Sequence, residues 1–361
     1  MNGRVGFLFI GTTGDHAGHT LVSWAITQML IERGFRVGFL KPFGTQRVTL
    51  NGHGSDPDAL LFKQTLNIQE PLDRICPYLL SEETVREKGP ETILNEMRTL
   101  VKDLSGGKDL LIIMGADHIF LDNASRGVSD ISLAAGLEAD FILVDRYRDK
   151  ARSIYSILSA SSLLKERLKG IVLNRVSPSL LQEIRDHIIP PLARKGIPSI
   201  IALPEDPFLS FQSLGDIREL LEGEFLLGEA DREQPVGGMT VGSSDLKGEL
   251  LLFKRAYNKI VLLRPHPPSE EHEPIEGPRS IAGILFTGGR TPPPQLLTAA
   301  KKAGIPLILV TGDTFSVLER LGQDPPPLSL HDHAKVRRMM ELIDRDNALD
   351  TLLQGIGLLP K

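Results

Sequence analysis

Cysteine is nearly absent from this sequence, since Cys76 is the only one among 361 residues. A single cysteine cannot form an internal disulfide, which excludes a secreted domain held together by disulfide bonds. Cys76 stands between Ile75 and Pro77 with no base close by in the sequence. We therefore expect this cysteine to be structural rather than a nucleophile.

The sequence also lacks long hydrophobic runs and an excess of basic charge. The first apolar run, residues 5–10, is too short to cross a membrane and has neither a basic flank nor a small-residue cleavage pattern. The formal net charge of −5 gives no basic surface for nucleic acid or an anionic membrane. These absences predict a cytoplasmic protein that binds neither nucleic acid nor a membrane.

Short apolar runs alternate with helical patterns along the first part of the chain. The length suits two domains, and 41% hydrophobic with 24% charged residues is a normal globular balance. Fully apolar strands separated by helices are typical of a parallel sheet with helices on both faces. The predicted strands are residues 5–10, 36–41, 110–114, 141–144, 171–173 and 200–203.

A second α/β pattern begins after a polar, glycine-bearing stretch. It predicts strands at residues 259–263, 284–286 and 306–310, and helices at residues 217–226, 294–303 and 314–321. The segment 265–278 is rich in proline and glutamate, which predicts an exposed loop. We divide the chain into a first domain (1–207), a linker (208–235), a smaller α/β domain (236–330) and a helical tail (331–361).

A glycine-rich loop joins the first predicted strand to the first predicted helix. Such a loop presents backbone N–H groups and the positive end of the helix dipole to an anion. In the Walker A pattern a lysine and then a Ser or Thr follow the last glycine; here Gly18 and Thr20 fit, and His19 stands in place of the lysine. The alternative is an ordinary strand-to-helix turn with Thr20 as the N-cap. The loop reads Gly11-Thr12-Thr13-Gly14-Asp15-His16-Ala17-Gly18-His19-Thr20.

Five segments together resemble the dethiobiotin synthetase family and the N-terminal domain of long bacterial phosphate acetyltransferases. The resemblance covers residues 1–207 and implies a P-loop NTPase-like fold. It rests on the glycine-rich loop, Leu40-Lys41-Pro42, Ser55-Asp56-Pro57-Asp58, Gly170-Ile171-Val172-Leu173-Asn174-Arg175-Val176 and Ala202-Leu203-Pro204-Glu205-Asp206.

This resemblance implies ATP or another nucleotide as ligand, with Mg²⁺. It places Thr20 and Asp56 on the metal, Lys41 on a substrate anion, and Asn174 against the nucleotide base. A strand-end lysine exposed to solvent is the alternative interpretation of Lys41. The implied nucleotide- and phosphate-binding residues are Gly11, Thr12, Thr13, Gly14, Gly18, His19, Thr20, Asn174 and Pro204.

Two positions depart from the family pattern. His19 replaces the Walker lysine, and Met114 stands where the family carries a magnesium-binding glutamate; Asp117 is about three positions away. Loss of a charge-assisted contact weakens binding by about 1.5–3 kcal/mol, whereas loss of a transition-state contact slows catalysis by about a thousandfold. We therefore expect nucleotide binding to survive better than phosphoryl transfer.

Histidines and carboxylates in the same predicted loops leave a second interpretation open. Imidazole and carboxylate groups that converge at one sheet edge can bind zinc or another transition metal. The sequence contains no compact ligand signature such as H-x-x-x-H around them, and scattered loop histidines are the simpler interpretation. The candidate ligands are His16, His19, His53, Asp56, Asp58, Asp117 and His118.

The second domain resembles the DRTGG domain of long phosphate acetyltransferases. The matching stretches run from Ile284 to Arg290 and from Val310 to Phe315, whereas Arg264-Pro265-His266 replaces the usual G-D-R turn. The resemblance implies a regulatory domain that helps subunits associate. Thr287-Gly288-Gly289 lies between a strand and a helix, a position that suits an anion. Helix capping alone accounts for Asp313 and Thr314. The candidate ligand residues are Thr287, Gly288, Gly289, Asp313 and Thr314.

These observations favour a regulatory protein that binds a nucleotide or another small anionic metabolite, with weak or absent phosphoryl transfer. We expect a homo-oligomer. The alternative is an ATP- and Mg-dependent ligase of the dethiobiotin synthetase type, with Thr20, Lys41 and Asp56 as catalytic residues. A third hypothesis is a structural partner of another enzyme, bound through residues 265–278 or the C-terminal helix. Since the chain ends soon after the second domain, we do not expect a stand-alone phosphate acetyltransferase.

Overall fold

The computed structural model describes residues 5–14, 17–50, 53–80, 88–119, 128–197, 199–242, 260–265, 281–322, 327–345 and 348–356. His16 and residues 266–278 of the predicted loop lie outside these ranges. The chain forms two compact units, one of residues 1–205 with 336–361 and one of residues 206–335. Within the described residues, no helix is long and apolar enough to cross a membrane.

A six-stranded sheet, parallel throughout, forms the centre of the first unit, in the order β10-β9-β8-β1-β7-β2. Leu8, Phe9 and Ile10 are successive residues of β1, and each is at most 1% exposed. Because neighbouring side chains of a strand point to opposite faces, both faces of the sheet are covered. The predicted parallel α/β fold is confirmed. The strands of this sheet are β1 (Gly6–Thr12), β2 (Val37–Leu40), β7 (Leu110–His118), β8 (Asp140–Arg146), β9 (Leu168–Val176) and β10 (Ser199–Pro204).

Two short strand pairs, β3 (Phe43–Gly44) with β6 (Tyr78–Leu79) and β4 (Val48–Leu50) with β5 (His53–Ser55), follow β2. The helices of this part are α1 (His19–Glu32), α2 (Pro57–Thr65), α3 (Leu72–Ile75), α4 (Pro90–Leu104), α5 (Asp130–Gly136), α6 (Lys150–Leu164), α7 (Leu181–Glu183) and α8 (Ile189–Arg194).

Helix α4 shows how local sequence sets the start and the buried face of a helix. Pro90 occupies its first turn, where a missing N–H costs nothing, and Gly89 precedes it in an extended conformation. Ile93, Met97 and Val101 recur every four residues and are buried. Gly89-Pro90 therefore marks the start of the helix.

The second unit contains a mixed six-stranded sheet in the order β11-β13-β14-β15-β16-β12. Only β15 and β16 pair in parallel; the other neighbours are antiparallel. Its strands are β11 (Gln212–Ser213), β12 (Glu224–Leu227), β13 (Pro235–Gly242), β14 (Ile260–Pro265), β15 (Gly283–Phe286) and β16 (Leu307–Leu309), and its helices are α9 (Leu214–Leu220), α10 (Pro294–Ala303) and α11 (Thr314–Leu321).

Residues 208–235 form part of this unit, although the sequence predicts a linker there. The helix predicted at residues 217–226 is also different: α9 ends at Leu220, and β12 begins at Glu224. Glu222 adopts a left-handed conformation with φ of 52°, which ends the helix. At Gly223 an added Cβ would lie 2.8 Å from Ile308, so the turn packs directly against β16.

The C-terminal residues 336–361 belong to the first unit. Helix α12 (His333–Asp344) precedes α13 (Ala348–Gly355), which packs on β9 and β10. Leu352 of α13 lies so close to Gly170 of β9 that a Cβ on that glycine would be 2.0 Å from its Cδ2. Arg33, at the end of α1, forms an ion pair with Asp350. The tail is helical, as predicted, and contributes to the core of the first unit.

Candidate functional site

The glycine-rich loop leaves β1 at the carboxyl edge of the sheet and enters α1 through Gly18. Gly18 is the N-cap, with a left-handed φ of 79°, so the helix starts at His19 and Thr20 lies inside its first turn. The alternative with Thr20 as N-cap is therefore wrong. A side chain at Gly18 would bring its Cβ to 2.7 Å from Nδ2 of Asn174. Glycine is required here by both backbone conformation and close packing.

Asn174, at the end of β9, holds the loop in place. Its Nδ2 donates to the carbonyl oxygen of Ala17 at 2.8 Å, and its Oδ1 accepts from the backbone N–H of Arg175 at 2.9 Å. These two hydrogen bonds fasten the loop to β9, and the contact of Asn174 with a nucleotide base stays a prediction. Pro204 ends the neighbouring strand β10 and pairs with Val176, at the same edge of the sheet.

The other loop residues have distinct positions. Gly11 is part of β1 rather than the loop, and its Cβ would be 2.4 Å from the ring of Phe141, so it permits packing beneath the loop. The hydroxyl of Thr12 donates to the carbonyl oxygen of Gly14 at 3.1 Å. The hydroxyl of Thr13 donates to Oδ1 of Asp145, at the end of β8. Thr12 and Thr13 therefore shape the loop through their side chains.

Lys41 follows β2 and is only 2% exposed. Its Nζ lies 2.7 Å from Oδ1 of Asp56 and also forms an ion pair with Asp58. Burial alone would lower the pKa of Lys41, but the charges of Asp58 and Asp56 outweigh it and raise the pKa above its ordinary value. Lys41 is therefore a buried, permanently charged ammonium, and the interpretation as a solvent-exposed lysine is wrong.

Asp56 has a structural position. Its Oδ2 accepts from the backbone N–H groups of Thr45 at 2.9 Å and Gln46 at 3.3 Å. Its Oδ1 accepts from the N–H of Asp58 at 2.9 Å, which caps α2. With Lys41 as a further partner, both oxygens of Asp56 are engaged within the protein.

Asp58, in the first turn of α2, is the carboxylate that reaches the loop. Burial would raise its pKa, but the charges of Lys41 and His19, with hydrogen bonds from Lys41 and the Thr20 hydroxyl, hold the pKa below its ordinary value. Asp58 thus joins the residue in the Walker-lysine position to the hydroxyl expected on magnesium. The sequence predicts Asp58 only as a candidate ligand of a transition metal, because the nucleotide interpretation favours Asp56 as the acidic residue.

Met114 and Cys76 supply no charge to this region. Met114 lies in β7 and is fully buried, so the position of the family's glutamate is apolar. The pKa of the buried Cys76 thiol is raised to about 12 by burial and by the charge of Asp56, although Lys41 opposes this rise. At that pKa the thiol is not a nucleophile at neutral pH, as the sequence predicts.

Only part of the predicted cluster of histidines and carboxylates lies among the described residues. His16 lies outside the described residues, and so do the side chains of His53 and Asp117. Among the described side chains, no group of three or more His, Cys, Asp or Glu residues is close enough to hold a metal ion. His118, at the end of β7, lines a separate cleft beside Thr13.

In the second unit, the predicted anion-binding residues contact one another. The hydroxyls of Thr287 and Thr314 are 2.9 Å apart and buried. The N–H groups of Gly288 and Gly289 donate to the carbonyl oxygens of Gly312 and Val310, respectively. These two N–H groups are therefore not directed at an anion.

Asp313 caps helix α11. Its Oδ1 accepts from the N–H groups of Phe315 at 2.9 Å and Ser316 at 3.1 Å. A hydrogen bond from the Ser316 hydroxyl to Oδ2, together with these backbone hydrogen bonds, lowers the pKa of its carboxyl. Helix capping accounts for its position in full.

Comparison with known proteins agrees with the division of the chain into two compact units. A family model described as an AAA domain (AAA_26) matches residues 7–213, and a DRTGG domain model matches residues 216–323. The chain is 22% identical over 378 residues to a phosphate acetyltransferase of Nitrosomonas europaea, covering 97% of this chain and 51% of the relative. It thus spans about half the length of that relative.

Two further similarities each cover about half of the chain. An ATP-dependent dethiobiotin synthetase BioD of Ruthia magnifica is 25% identical over 189 residues, covering 50% of this chain and 86% of that protein. Among solved structures, the MinC:MinD cell division protein complex of Aquifex aeolicus aligns with 57% of this chain and 84% of its own, at 13% identity and a TM-score of 0.35.

Proposed function

Because this chain belongs to the AAA_26 family of AAA domains and carries a DRTGG domain after it, we propose that it is a nucleotide-binding regulatory protein with little or no phosphoryl transfer. The observation that carries the proposal is the loop geometry. Gly18 caps a helix of 14 residues in a left-handed conformation, and Asn174 holds the preceding carbonyl. A helix that begins in this way points the N–H groups of its first turn out of its end, which suits an anion.

The charges around the loop support binding more than catalysis. Phosphoryl transfer needs a lysine or arginine on the transferred group and a metal held by carboxylates. Here Lys41 is paired with two carboxylates, and His19 is the residue in the Walker position. An apolar Met114 occupies the position of the second metal ligand. Each of these changes removes charge that the transition state requires.

Magnesium binding fits Thr20 and Asp58 better than Thr20 and Asp56. Mg²⁺ takes oxygen ligands, and a nucleotide-bound ion needs only one or two groups from the protein. The Thr20 hydroxyl and the Asp58 carboxylate already touch, whereas both Asp56 oxygens accept other hydrogen bonds. We propose that these two residues hold the ion that accompanies a nucleotide.

A second candidate function is an ATP-dependent ligase related to dethiobiotin synthetase. One observation favours it. An ion pair and a hydrogen bond connect Asp58 to Lys41 and Thr20 beside the loop, and a protein that kept only the fold would not need this polar group. In that function Lys41 steadies the substrate anion, and Asp58 and Thr20 hold magnesium. Turnover of ATP separates the two functions.

Two glycines that flank α1 provide a matched test of nucleotide binding. Gly18 and Gly34 both have positive φ, at 79° and 83°, but a Cβ at Gly34 would meet no atom within 4 Å. Gly18→Ala and Gly34→Ala therefore cause similar backbone strain, of about 1–2 kcal/mol, while only the first disturbs the loop. We expect Gly34→Ala to bind ATP like the wild type in calorimetry, and Gly18→Ala to bind at least about tenfold more weakly. Equal ATP affinities of the two variants would contradict the loop as the site.

A further inference from the structure

A second cleft, of about 500 Å³, opens at the carboxyl ends of β1, β7 and β8, beside the glycine-rich loop. Its polar lining includes Thr13, His118, Asp145, Arg146, Arg148 and Arg152. Volumes of about 300–1,000 Å³ are typical of sites for small molecules. Of the residues assigned above to the nucleotide and its phosphates, Thr13 lines this cleft, whereas Gly18, His19 and Thr20 do not.

The lining is strongly basic, against the net negative charge of the chain. Three arginines face this space. Arg152 pairs with Asp149 at 3.3 Å, and that pair is largely exposed. In the part of the chain that the structure describes, no carboxylate lies within ion-pair distance of Arg146 or Arg148. Asp145 and Asp149 offset part of this charge, and the three arginines leave the described part of the cleft with a net positive charge.

Arg146 also approaches a further positive charge. It pairs in register with Asn174 on β9, next to Arg175. Burial and the charge of Arg146 lower the pKa of Arg175. Like charges held together on neighbouring strands repel each other, and an anion that contacts Arg146 relieves this repulsion.

Asp145 provides an acceptor at the inner end of the cleft. It is 3% exposed, and Thr13 donates to its Oδ1. Its Oδ2 is buried; burial raises the pKa of the carboxyl, and hydrogen bonds from Thr13 and Ser153 oppose that rise. A carboxylate oxygen accepts more than one hydrogen bond, so this position suits a ligand that brings a further hydroxyl or another donor.

We propose that this cleft binds a second ligand, a small polyanion whose carboxylate or phosphate groups contact Arg146, Arg148 and Arg152 and whose hydroxyl donates to Asp145. The guanidinium group matches the planar, bidentate geometry of both oxyanions. The ligand lies next to the phosphate loop and shares Thr13 with it. The cleft is a separate site from the nucleotide site, so the inference does not depend on nucleotide binding.

The test uses the full chain and two probes, citrate for carboxylates and pyrophosphate for phosphates. Arg148→Gln removes one of the cleft arginines, and Arg194→Gln, an exposed arginine at the end of α8, is the control for loss of charge. Binding is measured by calorimetry at constant ionic strength, with tryptophan fluorescence as a check of folding. We expect Arg148→Gln to weaken at least one probe about 10- to 100-fold, and Arg194→Gln to leave both unchanged.

Further binding measurements distinguish this cleft from the nucleotide site. Gly18→Ala is expected to keep citrate or pyrophosphate binding, and Arg148→Gln to keep its affinity for ATP. Stronger loss of citrate than of pyrophosphate in Arg148→Gln identifies a carboxylate ligand, and the reverse identifies a phosphate. The proposal is overturned if neither probe binds the wild type at about 10 mM, a level far above useful affinity. Equal affinities of Arg148→Gln and Arg194→Gln, or joint loss of ATP and the probe in Arg148→Gln, also overturn it.

Discussion

Replacing Asp145 with asparagine should stabilise the protein at neutral pH and have little effect in acid. Asp145 is 3% exposed. Burial raises the pKa of its carboxyl from 3.8 to about 6, against the opposing effects of Thr13, Ser153 and Arg148. In the unfolded chain the same carboxyl is exposed to water and ionises in its ordinary range.

The sign of the effect follows from proton binding. Between about pH 4 and pH 6 the folded protein keeps a proton that the unfolded chain releases, so the free energy of unfolding falls as the pH rises through this window. Above about pH 6 this loss of unfolding free energy is complete. One pKa unit corresponds to about 1.4 kcal/mol, so ionised Asp145 destabilises the fold by about 3 kcal/mol. Asparagine keeps an oxygen that accepts from Thr13 and has no charge, so the variant avoids most of this loss.

Trp24 makes the measurement specific to the first unit. It is the only tryptophan in the sequence and is 1% exposed within α1. Urea unfolding followed by its fluorescence should give Asp145→Asn an advantage of about 1–3 kcal/mol at about pH 8, which shrinks toward zero near pH 4. Asp73→Asn, at an exposed carboxylate, is the control. An advantage that does not depend on pH, or a loss of stability at about pH 8, would refute the reasoning.

Two further predictions concern packing of the first unit. Lys41→Met leaves Asp56 and Asp58 buried without their cation, so the free energy of unfolding in urea at neutral pH should fall by about 3–5 kcal/mol. The control Lys195→Met, at an exposed lysine, should stay near the wild type. Equal stabilities of the two variants would contradict a buried ion pair. Gly170→Ala brings a Cβ to 2.0 Å from Leu352, so hydrogen exchange in residues 348–356 should accelerate. Combining it with Leu352→Ala should slow that exchange again, and failure of this rescue would show that the contact is not the cause.

The apolar runs predicted every strand of the first sheet, because a strand covered on both faces has no polar alternation to obscure it. The same reasoning failed at residues 217–226, where β12 was interpreted as the end of a helix. Phe225, Leu226 and Leu227 fit either element by periodicity, and the left-handed Glu222 that separates helix from strand leaves no compositional signal. Contacts across the sheet, absent from local sequence, decide such cases.

At the site, the sequence indicated the loop, Lys41 and Thr20 but not the way in which they connect. Asp56 and Asp58 look equivalent in Ser55-Asp56-Pro57-Asp58, and only the start of α2 decides that the first caps the helix and the second reaches Thr20. The arginines of the second cleft look like ordinary solvent-exposed charges along the β8–α6 connection. Their convergence depends on the neighbouring strands, which the sequence alone does not place side by side.

The central claim, a nucleotide site that binds without efficient turnover, is tested most directly by phosphate release at ATP and Mg²⁺ concentrations that calorimetry shows to be saturating. The account predicts saturable ATP binding that Gly18→Ala weakens, with phosphate release no faster than that of a buffer control. Steady release by the wild type that Thr20→Val abolishes would contradict it and assign the protein to the ligases.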